Sequence, residues 1–81
     1  MNIQASQQAL SKAELERMVL AYIRMLPRSQ HVRHVSIAAR SNPGRNWAVL
    51  EIEPPLATRA DNEVRNAIAA LQVEFRLAAE D

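Results

Sequence analysis

The chain has 81 residues and no cysteine, with ten basic and nine acidic side chains for a net charge of +1. Such a length leaves room for one small core, and the missing cysteine excludes disulfide staples and thiolate metal ligands. The balanced charge names no polyanionic or polycationic partner, and no apolar run reaches the roughly eighteen residues of a membrane span.

The beginning of the chain has no basic region followed by an apolar run, so a cytoplasmic, bacterial-type protein is the expectation. Nine of the ten basic residues are arginine. Together with abundant alanine this reads as coding bias, so arginine usage alone does not argue for phosphate binding.

Met1 to Leu10 is rich in Gln and Ser and predicts a flexible tail, with Ile3 and Leu10 able to dock on the body. The folded domain is expected over residues 11–81. Ser11 followed three residues later by Glu14 is the capping-box pattern and predicts a helix start. Leu15, Met18, Val19, Tyr22, Ile23 and Leu26 then recur at helical spacing as one apolar stripe, with Leu20 pointing away from it. Pro27 ends the helix, and Arg24 and Arg28 suit its negative dipole end.

His31 to Pro54 predicts a β-hairpin closed by Asn42-Pro43-Gly44-Arg45, a type II turn with positive φ at Gly44. Pairing outward from that turn sets Arg40 against Trp47, Ala39 against Ala48, Ala38 against Val49 and Ile37 against Leu50. Ser36 then meets Glu51, Val35 meets Ile52 and His34 meets Glu53. Alternation puts Val35, Ile37, Ala39, Ala48, Leu50 and Ile52 on a core face, and Trp47, Val49 and Ala38 on the other. Pro54 and Pro55 stop the second strand. Thr58 is the expected cap of a second helix running to about Ala79, with core stripe Val64, Ala67, Ile68, Leu71, Phe75 and Ala78. Ala70, Val73 and Leu77 form a weaker apolar strip on its back.

The expected architecture is α+β, in the order α-β-β-α, with both helices on one face of the antiparallel hairpin. Two strands leave both sheet edges and one face open, which predicts completion as a homodimer, through a continued sheet or through the second faces.

Chemistry-bearing residues are few. His31 and His34 would point oppositely on a strand, and with no cysteine and no ordered third ligand they give no metal site. Glu51 and Glu53 share a strand face but have no pocket, nucleophile or phosphate loop beside them, so no enzyme and no cofactor are expected. The strongest polar signal is charge segregation. Arg24 to Trp47 holds five arginines and no acid, whereas Ala48 to Asp81 holds seven acids and three arginines. Helix-end placement accounts for Arg24 and Arg28, which leaves Arg33, Arg40, Arg45 and Trp47 as candidate nucleic-acid contacts. An Arg40–Trp47 cation–π stack is the plainer use of those two side chains. A double-stranded-RNA-binding domain would need a third strand and a basic helix start, where Thr58 to Glu63 is mostly acidic. The favoured expectation is a non-enzymatic, self-associating interaction domain using Trp47, Val49, Ala38, Leu20, Val73 and Leu77. The alternative is nucleic-acid binding at the hairpin tip.

Overall fold

The computed structural model describes residues 8–42 and 44–78. Its elements run β1 (Gln8–Leu10), α1 (Lys12–Arg24), β2 (His34–Ala39), β3 (Trp47–Glu53), α2 (Thr58–Glu74) and β4 (Phe75–Leu77). The fold is α+β, with two helices and two separate two-stranded sheets. β2 and β3 form the antiparallel hairpin, while β1 and β4 pair in parallel.

Two expectations change at the ends of the chain. Gln8–Leu10 is not tail but strand β1, paired with Phe75–Leu77, and Leu10 packs on the core. The flexible-tail expectation for residues 1–7, including docking by Ile3, lies outside the described residues. Helix α2 stops at Glu74 rather than near Ala79, and Phe75 turns extended at φ −128° and ψ 150°. The three-four spacing carries through Phe75 and Ala78 in sequence, but the pairing of Leu10 with Leu77 and the bond from the Ala78 N–H to the Leu10 carbonyl draw the backbone into a strand.

Helix α1 begins as its sequence dictates. Ser11 Oγ accepts from the Glu14 N–H at 3.1 Å, and Glu14 Oε1 accepts from the Ser11 N–H at 2.9 Å. Two otherwise orphaned donors are thereby satisfied reciprocally. These bonds hold the Glu14 carboxyl below the usual carboxylate range, the Ser11 backbone donor contributing most. Helix α2 starts less firmly, since Ala57 rather than Thr58 is the N-cap and no side chain caps it.

The core is one cluster. Leu15, Val19 and Ile23 of α1 meet Val35 and Ile37 of β2, Trp47 of β3, and Val64, Ile68 and Leu71 of α2. Val32 closes the connection between α1 and β2. Leu20, expected to point away, is partly buried against this cluster, whereas Tyr22, expected in the stripe, stays 40% exposed.

The register departs from expectation at one place, and the departure decides what faces the core. His34–Glu53, Val35–Ile52 and Ser36–Glu51 pair as read from the sequence. Beyond them the partners are Ile37–Val49, Ala38–Ala48 and Ala39–Trp47, so Leu50 is the extra residue of a β-bulge. The turn is also different. Asn42 Oδ1 accepts from the Gly44 and Arg45 N–H groups, and among the described residues, Gly44 included, none adopts positive φ. Counting outward from a tight Pro-Gly turn therefore misplaces the tip half of the hairpin by one residue, because the loop closes through the Arg40 N–H to the Asn46 carbonyl.

A one-residue shift exchanges faces. Trp47 and Val49 join the core face, and Leu50 leaves it. Trp47 has no exposed surface and is the largest fully buried side chain, while Leu50 is 60% exposed. The expected outer placement of Trp47 and Val49 is corrected accordingly, and with it the Arg40–Trp47 stack, since Ala39 rather than Arg40 faces Trp47.

Candidate functional site

Polar side chains tie the start of β3 to the second sheet. Trp47 Nε1 donates to the Phe75 carbonyl at 2.9 Å, and Gln72 Nε2 donates to the Trp47 carbonyl at 2.6 Å. Asn46 bonds both backbone groups of Leu77, with Nδ2 donating to its carbonyl and Oδ1 accepting from its N–H, each at 2.9 Å. The Asn46 amide thus behaves as a short piece of strand beside β4. Trp47 is committed to this junction and to the core, and is not displayed to a partner.

Both hairpin edges carry a guard. The Arg40 N–H turns toward β3, so by alternation the Ile37 N–H turns to the free edge of β2. There Glu16 Oε2 accepts it at 3.0 Å. On β3, the outward Trp47 carbonyl is taken by Gln72, and the Leu50 bulge interrupts the edge that follows. Charges and bulges on edges oppose strand addition by another chain.

What stays open is the outer face of the hairpin. Alternation and the bulge put His34, Ser36, Ala38 and Arg40 of the β2 side there, with Ala48, Leu50, Glu51 and Glu53 of β3. A cleft of about 480 Å³ lies at the tip half of the hairpin, between it, the start of α1 and the end of β4, lined by Ile37, Ala38, Ala39, Leu50, Leu77 and Ala78 with Lys12, Arg40 and Asn46 among its polar walls. Its cationic lining is unopposed, since no carboxylate residue lines it. At the opposite end of the face, Glu51 and Glu53 are exposed. A second groove, about 350 Å³, runs between β3 and α2 past Leu56 and Ile68, with Asp61 and Arg65 on its wall.

Of the candidate interface residues, Ala38 alone is on the outer face near Leu50. Leu20 is partly buried against the core, Leu77 sits in β4 and lines the 480 Å³ cleft, and Val73 is 59% exposed on α2. The structure does not gather these six into one patch. Leu50, which alternation from the turn assigns to the core, is exposed instead, because of the bulge.

The candidate nucleic-acid contacts separate too. Arg33, Arg40 and Arg45 are exposed, Trp47 is buried. Arg24 Nε donates to the Val32 carbonyl at 2.8 Å, and Arg28 pairs with Glu63 at 2.8 Å, so both serve the fold.

His34 faces Glu53 in register, but its Nε2 meets Ser36 Oγ at 3.3 Å. That pair lies on open surface. Among the described residues no three His, Asp or Glu side chains gather to hold a metal ion, and no helix is long and apolar enough to cross a membrane.

No family model matches this chain, and neither does any curated protein or solved structure.

Proposed function

We propose that this protein is a small, non-enzymatic interaction domain that works by self-association through the outer face of its hairpin. The observation that carries this reading is Leu50. A bulge lifts it from the core face to the outer face, where it stands 60% exposed beside Ala38 and a cleft lined by Leu77 and Ala78. A single exposed leucine is ordinary on a monomer. This one stands with Ala38 and Ala48 in an apolar strip, next to that concavity. Of the two modes expected for a dimer, contact through the faces is favoured over a continued sheet, because Glu16 and the Leu50 bulge guard the edges.

The test is the mass in solution of the wild type and of Leu50→Asp. Leu50 is absent from the core, so the variant is expected to keep the wild-type fold and lose association. An unchanged concentration dependence in Leu50→Asp would move the contact to another surface.

A second reading, nucleic-acid binding, keeps some support from Arg33, Arg40 and Arg45, which are exposed and stand outside the two ion pairs of the described residues. It loses the stacking surface that Trp47 would have supplied. Its mark would be an affinity for RNA or DNA that falls steeply with salt and weakens in Arg40→Ala/Arg45→Ala.

A further inference from the structure

The outer face is a strip with three zones in a fixed order. At the hairpin tip it is basic, with Arg40 on the face, Arg45 in the turn and Lys12 on the facing wall of the cleft. At the middle it is apolar, with Ala38, Ala48 and Leu50. At the open end it is acidic, with Glu51 and Glu53 on β3 opposite Ser36 and His34. None of these five charged side chains on the wall and face, Lys12, Arg40, Arg45, Glu51 or Glu53, belongs to either ion pair of the described residues.

A strip that is basic at one end, apolar at the centre and acidic at the other is complementary to itself after a half-turn about its centre. A two-fold axis near Leu50 lays the acidic end of one copy on the basic end of the next, twice, with the two apolar centres in contact. That is the isologous form in which identical chains most often pair. Translation along the strip would instead set like charges together, which costs enough to suppress the wrong arrangement.

We infer that the occupant of the cleft is a second copy of this chain, bound antiparallel across the outer face, with Glu51 and Glu53 of each copy reaching Lys12 and Arg40 of the other. The inference rests on the self-association proposed above and adds its partner, orientation and charge pairing. The face is only one hairpin wide, where a standard interface covers roughly 800 Å² per partner, so the dimer is expected to be weak and concentration-dependent. Pairing between exposed charges is screened, so added salt weakens it further.

The experiment is a reciprocal charge reversal read by light scattering after size exclusion. One variant carries Lys12→Glu and Arg40→Glu, and the other carries Glu51→Lys and Glu53→Lys. All four positions are exposed, so both variants are expected to fold, and circular dichroism checks that. Each variant alone sets like charges together at both ends and is expected to associate about tenfold or more weakly than wild type. Mixed in equal amounts, the two are opposite in charge at both ends and are expected to recover a dimer, which also shows that each is folded. If wild type associates and both variants associate unchanged, or if mixing rescues nothing, this orientation is overturned while self-association stands. If wild type stays monomeric throughout, both fall together.

Discussion

Trp47 is the residue whose role is most sharply divided between two pictures of this molecule, and its replacement separates them. On an outer face, a tryptophan changed to phenylalanine or alanine would alter folding stability by no more than about 0.5 kcal/mol. In the structure the ring is wholly buried and its Nε1 donates to the Phe75 carbonyl. Trp47→Ala then removes most of a large side chain from a packed core, at a cost of about 3–5 kcal/mol. A domain of 81 residues has about 4–12 kcal/mol in all, so the alanine variant approaches global unfolding. Trp47→Phe keeps most of the ring and withdraws the N–H, leaving the Phe75 carbonyl without that donor at a cost of about 1–3 kcal/mol. With a urea slope of about 1 kcal/mol per molar for so small a chain, the midpoint should fall by about 1–3 M. The assay is urea denaturation followed by circular dichroism, since Trp47 is the only tryptophan and its fluorescence disappears with it. A midpoint for Trp47→Phe within error of wild type, together with a folded Trp47→Ala, would refute the core placement and the register behind it.

Other expectations follow from the same contacts. Asn46→Ala deletes both bonds to Leu77 and should destabilise by about 1–3 kcal/mol, with faster amide exchange at Leu77 as the local readout. Ser11→Ala removes the α1 cap and should cost about 1 kcal/mol in thermal or urea unfolding. Glu14 contributes a pH signature of definite sign. Its folded-state carboxyl is held below the ordinary value, so its stabilisation is full above the unfolded value and is lost as pH falls through the folded one. Glu14→Gln should flatten that part of an acid-unfolding curve, and an unchanged curve would show that the capping bond does not persist in solution.

The parts of the fold legible in the sequence are those where several local signals agree. The α1 start was readable because Ser11 and Glu14 stand three apart ahead of an apolar stripe, and both capping bonds are present. The open end of the hairpin was readable because Val35 and Ile52 alternate with Ser36, Glu51, His34 and Glu53. The tip was not, because Pro43 and Gly44 suggest a tight turn while Asn42 and Asn46 organise a longer loop. Alternation then offers two nearly equal faces, since Leu50 and Val49 are both good core residues and only the bulge chooses between them. Strands β1 and β4 were hidden for another reason. Each is three residues long, and their parallel pairing joins opposite ends of the chain, a contact no local pattern encodes. The candidate site suffered the same fate as the register. Side-chain type points to Trp47 as the exposed apolar residue, but the one-residue shift buries Trp47 and exposes Leu50.

The claim that matters most for function is that the hairpin's outer face binds a second copy of this chain. Sedimentation equilibrium over a roughly hundredfold range of concentration tests it without any variant, since mass action must draw a weak dimer apart on dilution. The average mass should climb from near 9.1 kDa toward about twice that value as concentration rises. It should climb less at high salt, where charge pairing is screened. A mass fixed at 9.1 kDa from the lowest concentration to the highest would contradict the claim. Leu50 would then be an exposed side chain on a monomer, and the exposed arginines of the hairpin tip would be the next surface to test.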